Sequence, residues 1–131
     1  ASGGVLAMNP RYIAFDEPTA DLDPSARKRV LDVIRTLLQD GIAVIHVTHH
    51  MDEIVRADEV LVMEKGAFSG QGAPKEILSR VEWLKELGLE SPTVTELLWR
   101  LKLMGVGVST ELLTLRDACE HLSAMIGQET A

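Results

Sequence analysis

The stretch that decides the fold of this chain is YIAFDEPTADLDP, residues 12–24. It opens with apolar, strand-forming residues, and we predict a strand over 11–15 that is buried on both faces. Charge and proline at Asp16-Glu17-Pro18 end this strand. Asp23-Pro24 then predicts a helix start, because an aspartate side chain can accept hydrogen bonds from free backbone amides and proline suits the first helical position.

A βαβ unit follows from the residues downstream of this stretch. Apolar residues recur at helical spacing over 30–38, and Gly41 supplies the stop. The next apolar run, 42–47, predicts a second buried strand that ends at Thr48. Two strands joined by a helix of roughly four turns must run parallel, with the helix as the crossover.

Chemistry-bearing residues come directly after both predicted strands. Asp16 and Glu17 follow the first strand and His49 follows the second. Parallel strands end at the same edge of a sheet, where open α/β sheets bind ligands. One carboxylate could hold Mg²⁺, and its neighbour could take a proton from an attacking water or orient it. The alternative is that the acid pair only ends a strand and solvates a turn.

The rest of the chain changes character near residue 80. Residues 59–64 predict a third strand. Lys65-Gly66 predicts a turn that leads into a weaker strand over 67–70, so that the two strands form a hairpin. A helix opens at residues 72–74 and runs toward Arg80. Strand signals then vanish, and three short amphipathic helices follow, over 81–87, 93–104 and 115–126.

Composition excludes some classes of function. The chain carries 20 acidic against 13 basic residues, and a net charge of −7 argues against binding nucleic acid. No apolar run approaches the length that spans a bilayer, and no signal peptide is visible. The single cysteine, Cys119, cannot form an internal disulfide and is predicted to be an inert core thiol. We expect an intracellular chain that reaches a membrane only through a partner.

Residues 12–24 strongly resemble the Walker B motif and D-loop of ATP-binding-cassette (ABC) ATPases, and Thr48-His49 is similar to the H-loop of that family. The resemblance implies an α/β fold: part of a P-loop NTPase, the RecA-like ABC cassette. Its parallel sheet would be followed by a C-terminal β-hairpin and a small helical tail.

The same resemblance implies a role for each matching residue, with Mg²⁺ and ATP as cofactors. Asp16 would hold Mg²⁺ through water, and Glu17 would be the general base that polarises the hydrolytic water. His49 would contact the γ-phosphate. Asp23 would be the D-loop acid that faces the opposite subunit, and Asp21 is a mild variation to which we attach no mechanism.

Downstream segments narrow the resemblance to one type of importer. Residues 57–66 and 70–77 match the usual tail of the cassette, and residues 84–97 look like the helical tail of cobalt-type or energy-coupling-factor (ECF) import ATPases. This implies the motor subunit of an importer of cobalt, another metal ion or a vitamin, on the inner face of the cell membrane. Its partners would be a second ATPase subunit, in a homo- or heterodimer, a transmembrane coupling subunit and a substrate-capturing membrane protein.

On this reading the chain has three segments: a leader or cloning scar at 1–10, the C-terminal part of the ATPase core at 11–80 and the helical tail at 81–131. The sequence contains no phosphate-binding loop of the form G-x-x-x-x-G-K-S/T. Ser2-Gly3-Gly4 matches the LSGGQ signature only in part. We therefore expect the isolated chain to be inactive.

Two alternatives stay open at this point. The helical tail could act as a non-enzymatic dimerisation or regulatory module. A metal-dependent hydrolase could instead use Asp16 and Glu17 with the histidines at 46, 49 and 50. It is disfavoured because His46 lies within a strand, and because His49 and His50 are adjacent, which gives poor geometry for holding one metal.

Overall fold

The computed structural model describes residues 10–130 and the side chains of residues 10–128. The interpretations of Ser2-Gly3-Gly4 and of the leader up to residue 9 lie outside the described residues. The chain divides into two compact units, Ala1–Thr48 and His49–Ala131.

The first unit is a βαβ unit. Strand β1 (Tyr12–Asp16) and strand β2 (Ala43–Val47) flank helix α1 (Pro24–Gln39). The strands pair parallel, from Tyr12 opposite Ala43 to Asp16 opposite Val47. The predicted parallel sheet is therefore confirmed, with each strand within a residue of its expected bounds.

Helix α1 begins and ends as the sequence predicts. The Oδ1 atom of Asp23 accepts a hydrogen bond from the backbone N–H of Ala26 at 2.9 Å, and Pro24 occupies the first helical position. At the other end, Gly41 has a φ of +81°, a conformation that glycine adopts without steric cost. Ile34 and Leu37 are the buried residues of the helix.

The prediction that the first strand is buried on both faces is wrong, and so is the prediction that the second strand is buried. Ile13 is buried, but its neighbours on the opposite face are open: Tyr12 is 70% exposed, Ile45 58% and Val47 51%. Side chains alternate between the faces of a sheet, and α1 is the single described helix of this unit, so it can cover one face. One side of the sheet is therefore an exposed apolar face, formed by Tyr12, Ile45 and Val47.

The second unit contains a hairpin and five helices among the described residues. Strands β3 (Val60–Glu64) and β4 (Ala67–Gly72) pair antiparallel, with a register shift between Val62 and Met63. The helices are α2 (Met51–Ile54), α3 (Pro74–Leu78), α4 (Val81–Glu86), α5 (Thr93–Leu103) and α6 (Leu115–Thr130). Within residues 10–130, no helix combines the length and apolar character needed to cross a membrane.

Two hydrophobic clusters stabilise this second unit. The first joins the hairpin to helices α3 and α4 through Val60, Val62, Ile77, Leu78 and Leu84. The second joins α5 to α6 through Leu98, Val108 and Ala118. The first cluster contains residues on both sides of position 80, and the predicted domain boundary there stays a prediction.

Cys119 is exposed, so the prediction of a core thiol is wrong. Helix α6 packs through Ala118, Leu122 and Met125. Cys119 is one residue from Ala118 and therefore lies about 100° further round the helix. The apolar pattern of the segment does correspond to a packed helix face, but the cysteine lies beside that face.

Candidate functional site

The acid pair lies at the carboxyl edge of the parallel sheet. Asp16 is the last residue of β1 and lies opposite Val47, the last residue of β2. The backbone N–H of Glu17 donates to the carbonyl of Val47 at 2.9 Å, which extends the parallel pairing one residue beyond β1. This hydrogen bond fixes Glu17 beside the end of the second strand, as the parallel geometry predicted.

Glu17 breaks the strand with an unusual backbone conformation. Its φ is +46°, in the left-handed region that costs a side-chain-bearing residue about 1–3 kcal/mol. The Glu17 carbonyl accepts from the N–H of Ala20 at 3.1 Å. Both the backbone N–H and the backbone carbonyl of Glu17 are therefore hydrogen-bonded. Asp16 is exposed while the adjacent Glu17 is half-buried, so the two carboxylates have different environments.

Asp16 fits a hard cation. Its side chain is exposed and accepts no hydrogen bond from any residue of the described part of the chain. Carboxylate oxygens are the ligands that Mg²⁺ prefers, and Mg²⁺ usually keeps several waters when few protein ligands are offered. A single free carboxylate at a sheet edge therefore suits magnesium held through water.

The loop from residue 18 to residue 23 is ordered by its own contacts. Thr19 is 2% exposed, and its carbonyl accepts from the N–H of Leu22 at 3.4 Å. Asp21 has a φ of +59° and is exposed. Aspartate tolerates this left-handed conformation better than most residues. The sequence predicts no role for Asp21, and the structure gives it a conformational one.

Asp23 has a structural function in this unit. Its side chain caps α1 through the hydrogen bond to Ala26, which places it at the junction of the loop and the helix. Substituting such a cap by alanine typically costs about 1 kcal/mol. A role toward an opposite subunit would be added to this local one.

His49 is the first residue of the second unit and follows the end of β2 by two positions. It is exposed, and its ring centroid lies 4.4 Å from that of the half-buried His50, with 32° between the ring planes. His46 lies within β2, opposite Phe15, and is half-buried. Of the predicted site residues, the structure brings Asp16 and Glu17 to one edge, and the chain leaves that same edge through Thr48 toward His49.

The curated proteins that this chain resembles are ATP-binding proteins of transporters. No protein-family profile matches the chain. The cobalt import ATP-binding protein CbiO of Syntrophus aciditrophicus is 49% identical over 124 residues, which cover 95% of this chain and 44% of that protein. The energy-coupling factor transporter ATP-binding protein EcfA1 of Clostridium novyi is 47% identical over 93% of this chain and 44% of its own length.

A solved structure confirms the predicted fold class. The chain resembles cbiO1 from Clostridium perfringens, described as part of the ABC transporter complex cbiONQ, with a TM-score of 0.54 and 32% identity. The match covers 80% of this chain and 40% of the solved one. The chain thus spans less than half the length of the relatives that it matches.

Proposed function

We propose that the chain forms part of the ATP-hydrolysing motor of an ABC importer, because it is similar over 93–95% of its length to ATP-binding proteins of cobalt import and energy-coupling factor transporters. One observation carries the proposal. The strands pair parallel, with Asp16 opposite Val47. The acid pair therefore lies at the same sheet edge from which the chain continues toward His49. The cargo would be cobalt, another metal ion or a vitamin.

Glu17 is proposed as the general base. A half-buried carboxylate on a strained backbone held by two hydrogen bonds keeps a fixed position, and a fixed position favours proton transfer from a single water. Asp16 would hold Mg²⁺ through water. When bound, the ion supplies positive charge that neutralises the phosphates of ATP.

His49 and Asp23 are each proposed to have a role of their own. An exposed imidazole just beyond β2 can hydrogen-bond a terminal phosphate oxygen, which is the role proposed for His49. Asp23 would contact the opposite ATPase subunit while it caps α1. The two roles are compatible, because a carboxylate can accept several hydrogen bonds.

The proposed partners follow from the relatives. An energy-coupling factor relative and a member of a cbiONQ complex support a second ATPase subunit, a transmembrane coupling subunit and a substrate-capturing membrane protein. We place the protein in the cytoplasm, peripheral on the inner face of the cell membrane. The ATPase pair would be a homo- or a heterodimer.

The test is Glu17→Gln in a full-length protein that contains this sequence. The amide keeps the shape of the side chain but cannot accept the proton, so steady-state ATP hydrolysis should fall about 100-fold or more. ATP affinity should change less than about threefold, because the base does not hold the nucleotide. Glu86→Gln, at an exposed position of α4, is the matched control and should hydrolyse ATP normally. Hydrolysis by Glu17→Gln at the parent rate would refute the assignment.

A second prediction concerns the 131-residue chain alone. It lacks a phosphate-binding loop, whose backbone amides and lysine supply much of the affinity for triphosphate. Titration calorimetry should therefore detect no tight Mg·ATP binding, and a phosphate-release assay should detect no turnover. Micromolar affinity together with hydrolysis would contradict the prediction.

The alternative function is a dimerisation or regulatory module formed by the helical tail. It is favoured by apolar side chains that the tail helices leave open: Leu97 at 53% exposure, Leu115 at 69% and Ile126 at 63%. This function requires no chemistry at Glu17. It would become the better proposal if the full-length protein bound its partners normally and its ATPase rate were indifferent to Glu17→Gln.

A further inference from the structure

A cavity of about 520 Å³ in the second unit is lined by both tryptophans of the chain, Trp83 and Trp99. The cavity is wide open to solvent, and its volume lies within the range of small-molecule sites. The polar part of the lining comes from Ser79, Arg80, Glu82, Lys102 and Thr110. None of the residues proposed for ATP hydrolysis lines it, so it represents a separate feature of the molecule.

The lining carries an excess of positive charge. Arg80 and Lys102 oppose a single acid, Glu82. Within the described part of the chain, the side chains of Arg80 and Lys102 make no hydrogen bond or ion pair. The lining therefore has a net positive charge, although the chain as a whole carries a net charge of −7. The cavity therefore offers an electrostatic complement to an anion.

The two indole rings are held in place by neighbouring groups. The guanidinium carbon of Arg80 lies 4.1 Å from the centroid of Trp83. On β4, Gly70 makes room for this ring, since a Cβ atom there would lie 2.7 Å from its Cη2 atom. The ammonium of Lys85 lies 4.5 Å from the centroid of Trp99 and is itself held by Glu96 at 3.0 Å. Rings that are already positioned lose little entropy on binding.

We propose that this cavity binds a small organic anion with a flat aromatic part. The parts of the indole rings that Arg80 and Lys85 leave uncovered would pack against the aromatic ring, and Lys102 and Arg80 would receive the anionic group. The hydroxyls of Ser79 and Thr110 add neutral donors at the rim. The site requires neither ATP nor a second subunit.

Paired probes test the charge requirement. We would titrate the 131-residue chain with 4-nitrobenzoate and with 4-nitrobenzyl alcohol, which share the aromatic ring and differ in charge. Calorimetry gives the affinities, and quenching of tryptophan fluorescence locates the probe, since both tryptophans line the cavity. The anion should bind saturably and roughly five- to tenfold more tightly than the alcohol. Equal binding of both probes, or no saturable binding of the anion, would overturn the proposal.

Matched variants test the location. Lys102→Gln removes an exposed cation of the lining and should weaken 4-nitrobenzoate binding by about three- to tenfold. Lys75→Gln removes the same charge at an exposed position outside the lining and should leave the affinity unchanged. Equal losses in the two variants would mean that net charge, not the cavity, attracts the anion, and the proposal would fail. Both positions are exposed, so both variants should fold.

Discussion

Glu17, Asp21 and Lys65 are the non-glycine residues with positive φ within residues 10–130. Two of them lie in the loop that follows β1, which is also the loop that carries the proposed base. Strained backbone persists where the surroundings hold it in place, and at Glu17 the carbonyl of Val47 and the N–H of Ala20 do so. Strain concentrated at one sheet edge is independent support for a functional loop there.

The residue scale also separates the two roles of Asp23. Asp23→Ala removes the cap of α1 and should lower the free energy of unfolding of the 131-residue chain by about 1 kcal/mol. Asp23→Asn keeps an accepting oxygen and should be close to the parent. Urea unfolding followed by circular dichroism measures both. If Asp23→Ala unfolds at the same urea concentration as the parent, the cap contributes nothing to stability.

At the scale of elements, one acidic side chain ties α4 to α5. Glu96 accepts from Lys85 of α4 at 3.0 Å and from Arg100 of its own helix at 2.9 Å. Lys85 in turn lies over the Trp99 ring. The ion pair therefore connects two helices and orients a cation on an aromatic face. An exposed ion pair contributes little to the free energy of unfolding. The main effect of the Lys85–Glu96 pair is therefore to orient α4 against α5.

This ion pair predicts an acid-sensitive contribution to stability. The hydrogen bond from Arg100, followed by that from Lys85, lowers the pKa of Glu96 from its ordinary value. A carboxyl whose pKa is lower in the folded state stabilises the fold above its unfolded pKa, roughly 4.3. That contribution is lost as pH falls through the lower folded pKa.

Urea unfolding between about pH 7 and pH 3 measures the effect, because the stabilising contribution of Glu96 is lost when its carboxyl is protonated. Glu96→Gln should be less stable than the parent at neutral pH, and the two proteins should converge in acid. Glu90→Gln, an exposed position with no ion pair among the described residues, should show no such convergence. A difference between Glu96→Gln and the parent that persists at the lowest pH would contradict this account.

For the molecule as a whole, local signals predicted the order and direction of the elements. Asp23-Pro24 marked the start of α1, and the strand–helix–strand spacing required a parallel pair. Burial was predicted less well, because it depends on which elements pack on a face. An apolar run such as 42–47 has the same pattern whether one face or both are covered, and only the structure showed Ile45 and Val47 open.

For the candidate site too, the sequence predicts some features and not others. Parallel geometry predicted that Asp16 and Glu17 lie at the end of β2, and the Glu17–Val47 hydrogen bond agrees; their chemical roles stay predictions. The left-handed φ of Glu17 could not be foreseen, since glutamate has no preference for it. The tryptophan cavity was equally invisible, because it depends on Gly70 of a strand packing against Trp83 of a helix.

The exposed apolar face predicts that the 131-residue chain associates with itself. Tyr12, Ile45 and Val47 present adjacent apolar surface, and such surface favours contact with another chain. Sedimentation velocity from about 10 to 500 µM should show mass rising with concentration. Ile45→Lys should suppress the rise, whereas Leu38→Lys, at an exposed position of α1, should not. A monomer throughout that range would sink this prediction.

Cys119 gives the molecule one chemically addressable position. It is the single thiol of the chain and lies exposed on α6, so a maleimide dye would attach there without any engineered substitution. Trp83 and Trp99 are natural energy donors in the same unit. Energy transfer from these indoles to the dye would follow the separation of α6 from the preceding helices as the protein unfolds.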